Sequence, residues 1–110
     1  MTAFDRAWRI VKDDQAVPLD WRDDPNDLPP VSEAYKRVIR LLPALDYAMG
    51  WQPMDWSVTL KTDRDLLAHL EQGATERLPG LSPTDQRKYN EGMRRTLNEY
   101  DRLKSMEGMA

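Results

Sequence analysis

The last third of the sequence repeats apolar residues with the period of an α-helix for about four turns. The residues of this apolar stripe are Tyr89, Met93, Leu97, Tyr100 and Leu103. Ser82-Pro83-Thr84-Asp85 stands directly before them and combines an N-cap serine, a proline at the first helical position and an acid in the first turn. The pattern predicts a long amphipathic helix over 83–107, whose apolar side needs other elements to cover it.

Three further segments combine helical spacing with a capping residue at the start. Thr2 with Asp5 and Thr62 with Asp65 have the spacing of a capping box, and Ser32 is a third N-cap candidate. Proline lacks a backbone N–H, so Pro43 predicts a kink or a break near residues 39–42 of the middle segment. The predicted helices span about 3–13, 32–49 with the kink near Pro43, and 63–72. Residues 56–60 are predicted to be extended coil.

Residues 14–30 form an irregular segment that contains three separate proline sites, which exclude a regular helix. Between Asp13 and Asp27, six aspartates stand against Arg22 alone. Because the chain as a whole carries a net charge of −3, its acid is concentrated in this arm. The predicted fold is a single all-α domain over 1–110: three to four compact helices with an irregular, acidic, proline-containing arm.

Composition and motifs speak against an enzyme. The chain has no cysteine, and its five glycines are scattered singly, which is not the pattern of a phosphate-binding loop. The single histidine, His69, follows Asp65 by one helical turn, and we interpret it as a surface residue rather than a catalytic or metal-binding group. We predict no catalytic residue, no metal and no cofactor. Since no apolar run approaches the ~18 residues of a membrane span, we expect a soluble protein of the cytoplasm.

Loop tryptophans and the acidic arm are the candidate protein-binding features. Tryptophan is enriched among the residues that dominate binding energy, and clustered acid favours encounter with a basic surface. The predicted interface residues are Trp21, Asp23, Asp24, Asp27, Trp51 and Trp56.

The long helix offers two alternatives. Four arginines on the side opposite the apolar stripe are candidate phosphate contacts, although interleaved acids leave the segment near +1. These are Arg87, Arg94, Arg95 and Arg102. Gly92 lies at the edge of the stripe and predicts a close helix–helix contact, either within the chain or with a second copy in a homo-oligomer. The residues of that contact are Tyr89, Gly92, Met93, Thr96 and Tyr100.

The segment Phe4-Asp5-Arg6-Ala7-Trp8-Arg9-Ile10-Val11-Lys12 resembles the start of small, mostly uncharacterised proteins of tailed phages. Those proteins often begin Phe-Asp-x-Ala-Trp-x-x-Val-Lys. The resemblance implies a viral origin, and with it the host cytoplasm as location, more than it implies an activity. Inhibition of a host component of defence or transcription would fit such a product. The leading hypothesis is therefore a non-enzymatic protein that binds a host protein. A nucleic-acid or nucleotide binder and a self-assembling helical protein are the alternatives.

Overall fold

The computed structural model describes residues 31–108 together with Thr2, residues 5–7 and Arg9. The acidic arm over 14–30 and most of the helix predicted for 3–13 lie outside these residues. Residues 31–108 fold into four α-helices and one 3-10 turn, with no strand among them, and the predicted all-α class is confirmed. The elements are α1 (Glu33–Val38), α2 (Leu41–Ala48), the 3-10 turn (Trp56–Val58), α3 (Asp63–Gly73) and α4 (Pro83–Gly108).

Three of these helices begin at the residue that the sequence predicts. Ser32 Oγ accepts a 3.0 Å hydrogen bond from the backbone N–H of Tyr35 at the start of α1. Thr62 and Ser82 bind the N–H three residues ahead in the same way, each at 3.1 Å. The hydroxyls thereby satisfy N–H groups that have no partner inside the helix, so these local patterns fix where α1, α3 and α4 begin.

The segment expected to kink or break near Pro43 consists of two helices. The first ends at Val38 and the second begins at Leu41, and the two residues between them, Ile39 and Arg40, form a turn that keeps right-handed helical backbone angles. Pro43 is consequently the third residue of α2, where a backbone N–H has no intrahelical acceptor to lose. Because a new helix begins at Leu41, the absence of an N–H at Pro43 breaks no hydrogen bond and requires no bend.

Helix α4 is about 39 Å long at 1.5 Å per residue, and both α1 and α3 pack against it. Its inward side consists of the buried residues Tyr89, Gly92, Met93, Thr96 and Tyr100. Two glycines set the spacing to the neighbouring helices. A Cβ built on Gly92 would lie 2.8 Å from Leu45 Cδ1, and one on Gly73 would lie 2.5 Å from Met93 Cε. The close helix–helix contact predicted for Gly92 is thus made within the chain.

Asp63 ties the start of α3 to two other helices. Its carboxylate accepts hydrogen bonds from the backbone N–H and hydroxyl of Ser32 and a 2.7 Å bond from the hydroxyl of Tyr100. Partial burial raises the pKa of Asp63, but these donors and the charge of Lys104 outweigh it, so the pKa lies below its usual value. These hydrogen bonds hold the N-termini of α1 and α3 together and against the C-terminal half of α4, where Tyr100 lies.

Candidate functional site

The chain from the last two residues of α2 to the end of the 3-10 turn, here called the 47–58 segment, folds back over the C-terminus of that helix. Gly50 supplies the reversal with a φ of 82°, as its position after the predicted helix suggests. The N–H of Trp51 then donates a 2.8 Å bond to the carbonyl of Asp46. The indole Nε1 of Trp56 donates a second 2.8 Å bond to the Asp46 carboxylate. Asp46 therefore holds both tryptophans of this segment near the end of α2.

Residues 56–58 form a 3-10 turn, and the extended coil predicted for this stretch is wrong. The Asp55 carboxylate caps the turn because it accepts bonds from both the backbone N–H (3.1 Å) and the hydroxyl (2.5 Å) of Ser57. The turn brings the Trp56 ring onto His69 of α3, with the ring centres 4.8 Å apart and the planes tilted by 35°.

The connection between α3 and α4 is held against α4 by two amide side chains. Gln86 accepts a 2.8 Å bond from the N–H of Leu78 and donates a 2.7 Å bond to the carbonyl of Glu76. Asn90 donates to the same carbonyl at 2.9 Å and to that of Gly73 at 2.8 Å. These bonds fix the backbone of Glu76 and Leu78 beside the 47–58 segment.

A pocket of about 330 Å³ opens between α2, the 47–58 segment, α3 and α4. Trp51 and Tyr89 stand together on one side of it, with ring centres 5.8 Å apart and planes tilted by 48°. A volume of this order lies at the lower end of the range for small-ligand sites. Its lining residues are Leu42, Leu45, Asp46, Trp51, Gln52, Met54, Trp56, His69, Glu76, Leu78, Tyr89 and Met93.

The charged side chains in this lining are acidic. Among the described lining residues, Asp46 and Glu76 carry carboxylates and there is no lysine or arginine. Burial raises the pKa of Asp46, although the N–H groups of Trp56 and Met54 lower it in part. Burial also raises the pKa of Tyr89, and the charges of Glu76 and Asp46 add to that effect. The pocket is thus an aromatic and aliphatic cavity with a negative field.

His69 belongs to this pocket rather than to the surface. Burial lowers its pKa, and Glu76 raises it in part. Within the described residues no hydrogen bond joins His69 to Asp65. The backbone N–H of Asp65 donates to the capping hydroxyl of Thr62. The same part of the chain holds no group of three residues arranged to bind a metal ion.

The other predicted site residues separate into three groups. Four of the predicted interface residues lie outside the described part of the chain: Trp21, Asp23, Asp24 and Asp27. The other two, Trp51 and Trp56, both line the pocket. The stripe of Tyr89, Gly92, Met93, Thr96 and Tyr100 is buried inside the chain, so these side chains are not presented to a second copy. Sequence reasoning missed Asp46 and Glu76; the signal for Asp46 was a lone carboxylate in the otherwise apolar stretch of α2.

The arginines of α4 do not form one surface. Arg95 pairs with Asp5 at 3.2 Å, and Arg102 pairs with Glu99 at 2.5 Å. Arg87 and Arg94 instead line a second, more open groove of about 580 Å³, together with Arg77 from the α3–α4 connection. Of the four arginines predicted to contact phosphate, only Arg87 and Arg94 share a groove, and Arg77 joins them there.

Exposed apolar side chains concentrate beside the first pocket. Of the four large hydrophobic residues that are most exposed in the described part of the chain, three lie in the 47–58 segment: Tyr47, Met54 and Val58. The fourth, Met106, lies near the end of α4. None of the helices in the described residues has the length and apolar character that crossing a bilayer requires.

Comparison with protein-family models, with curated proteins and with solved structures gives no match to this chain.

Proposed function

We propose that this chain is a non-enzymatic binding protein, encoded by a tailed phage, that engages a protein of the host. The observation that carries the proposal is the 47–58 segment. It combines two tryptophans that line a pocket with three exposed apolar side chains. Clustered apolar and aromatic residues of this kind are typical of protein interfaces rather than of ordinary solvated surface.

The chemistry of the pocket supports binding rather than catalysis. The described residues that line it include no serine, threonine, cysteine or lysine to act as a nucleophile. Its candidate bases are engaged by the loop: the Asp46 carboxylate accepts from N–H groups of Trp56 and Met54, and the His69 imidazole lies against the Trp56 ring. These groups position the loop, and a carboxylate engaged in this way is poorly suited to abstract a proton.

The host partner and the phage origin follow from the N-terminal resemblance, which points to a component of host defence or transcription. In this proposal the acidic arm extends the interface through Trp21, Asp23, Asp24 and Asp27, whose charge favours a partner with a basic surface.

Matched substitutions at two methionines test the proposal. Met54 is 52% exposed on the 47–58 segment, and Met106 is 55% exposed on α4. The wild-type chain is used to capture proteins from a lysate of the host, and the captured protein is purified for affinity measurements. We expect Met54→Glu to weaken binding roughly tenfold or more and Met106→Glu to leave it within about twofold. Failure to retain any protein above an unrelated bait, or equal affinities for the two variants, would overturn the proposal.

The groove around Arg77, Arg87 and Arg94 supports a second candidate, a nucleic-acid or nucleotide binder. Three guanidinium groups that line one groove favour phosphate oxygens, although Glu91 lines it as well and Arg94 also donates to the carbonyl of Ala74. Binding of DNA or RNA that falls steeply as salt rises, and that Arg87→Glu abolishes, would support this candidate. The absence of any mobility shift at low salt would exclude it.

A further inference from the structure

The aromatic pocket has the chemistry of a site for an organic cation. Three of its walls are the rings of Trp51, Trp56 and Tyr89. Aromatic faces attract ammonium and guanidinium groups, and tryptophan does so most strongly. Leucine and methionine side chains form much of the remaining lining and suit the methylene stem that carries such a group.

The two carboxylates of the pocket supply the matching charge. Asp46 is 9% exposed, and both of its hydrogen-bond donors, the Trp56 indole and the Met54 backbone, are uncharged. Its negative charge is therefore buried beside the cavity without a cation among its donors, which is an unfavourable arrangement that a bound cation would relieve. The charge of Glu76 acts on both His69 and Tyr89, so its field reaches two further residues of the lining, one on α3 and one on α4.

Size restricts the occupant. A cavity of about 330 Å³ lies at the lower end of the range for small-ligand sites and accommodates one amino-acid side chain or a small amine. Its acidic lining disfavours the phosphate groups of a nucleotide. Exposed apolar residues on the adjacent 47–58 segment would then contact whatever surface carries that side chain. The combination favours a side chain presented by a protein over a free metabolite.

We propose that the pocket between Trp51, Trp56, Tyr89 and the carboxylates of Asp46 and Glu76 receives an arginine side chain of the partner protein. This assignment rests on the proposed function and specifies the partner's chemistry. The guanidinium stacks on the indole rings and lies within the field of the carboxylates, and its stem covers the leucine and methionine lining. The acidic arm and this pocket would then select for the same feature, a basic patch on the partner.

Arginine and its neutral isostere citrulline provide the decisive comparison. N-acetyl-arginine-methylamide and N-acetyl-citrulline-methylamide are titrated into the full chain while the indole N–H signals of tryptophan and the imidazole signal of His69 are followed by NMR. We expect the arginine amide to shift the signals of Trp51, Trp56 and His69 and to bind roughly tenfold or more tightly than the citrulline amide. Equal binding of the two amides, or no shift with either up to the solubility limit, would overturn the proposal.

Two isosteric substitutions test whether the pocket carboxylate of Glu76, rather than the overall negative charge of the protein, attracts the arginine amide. Glu76→Gln removes a pocket carboxylate, and we expect it to weaken the arginine amide roughly two- to fivefold. Glu71→Gln removes one negative charge from an exposed position of α3 outside the pocket and should leave the affinity unchanged. Equal effects of the two variants would contradict a site-specific interaction. A lysine amide that binds more tightly than the arginine amide would contradict the choice of guanidinium.

The host-protein capture distinguishes this inference from the function on which it rests. Capture that depends on Met54, together with no preference for arginine over citrulline, would overturn the arginine assignment and leave the binding function intact. Selective binding of the arginine amide with no host protein retained would overturn the binding function and, with it, the assignment of the cation to a protein.

Discussion

The indole Nε1 of Trp56 donates a 2.8 Å hydrogen bond to Oδ2 of Asp46, ten residues earlier in the chain. The bond joins the 3-10 turn to α2, and Asp46 also accepts from the N–H of Met54. A buried carboxylate that holds two N–H groups organises the whole 47–58 segment. The pocket and the exposed apolar residues beside it depend on this arrangement.

Removing the Asp46 carboxylate should destabilise the protein. Asp46→Ala leaves the part-buried indole N–H of Trp56 and the backbone N–H of Met54 without their acceptor, and we expect a loss of about 1–3 kcal/mol in the free energy of unfolding. Asp46→Asn keeps one acceptor oxygen and should lose less. Urea denaturation measures both, with Asp101→Ala at an exposed position of α4 as the control. A midpoint for Asp46→Ala equal to that of the control would contradict the role given to this carboxylate.

The contact between α4 and α2 predicts a steric limit at Gly92. A Cβ there would lie 2.8 Å from Leu45 Cδ1 and 3.1 Å from Cδ2, so Gly92→Leu forces the two helices apart. We expect a loss of about 1–3 kcal/mol in unfolding free energy, as is typical of overpacked cores. Because the contact is internal, the mass in solution should not change.

Asn98→Leu, an exposed position on the same helix, controls for the added hydrophobic side chain. Combining Gly92→Leu with Leu45→Ala should recover part of the lost stability, since the smaller residue makes room for the new one. Thermal melting and light scattering measure the two effects. An unchanged melting temperature for Gly92→Leu would refute the close packing.

The features that the sequence predicted correctly are those encoded within a few residues. Ser32, Thr62 and Ser82 cap the N–H three positions ahead, and the spacing alone reveals them. The α4 stripe is likewise visible because its period is local. Gly92 marked a close helix approach, although sequence alone left open whether the neighbour was internal or a second copy.

The features that the sequence did not predict depend on contacts between distant positions. Asp63 meets Ser32 and Tyr100 at separations of 31 and 37 residues, and neither separation leaves a periodic trace. Residues 56–60 alternate apolar and polar side chains as a strand does, which favours extended backbone, whereas the Asp55 cap turns the chain there. Glu76 is held beside the pocket by Gln86 and Asn90, ten and fourteen residues later in the chain, which bind its carbonyl.

The Asp63 junction predicts a loss of stability in acid. Its pKa is lowered in the folded protein, so the folded state binds the proton less readily than the unfolded state. The stabilisation is therefore fully present above the unfolded pKa, near 4, and is lost as the pH falls through the lower folded value. Urea midpoints measured from neutral pH to pH ~3 should fall less steeply in Asp63→Asn than in the wild type. Parallel curves would contradict the junction's contribution.

Tyr100→Phe removes one donor to Asp63 and leaves those from Ser32. The pKa of Asp63 should rise part of the way towards its usual value, and the acid-dependent loss should shrink by less than in Asp63→Asn. If Tyr100→Phe removes the whole pH dependence, the tyrosine rather than the three-helix junction is responsible.

His69 is the chain's single histidine, so its titration by NMR needs no assignment against other imidazoles. Burial lowers its pKa below 6.5, and the charge of Glu76 opposes that shift. Trp56→Ala uncovers the ring and should move the midpoint up towards 6.5, whereas Glu76→Gln should move it further down. Because the folded state disfavours the imidazolium, the free energy of unfolding should decrease as the pH falls below about 6.5. A wild-type midpoint at or above 6.5, or shifts of the same sign in the two variants, would show that His69 is not enclosed by Trp56 and Glu76 as the pocket requires.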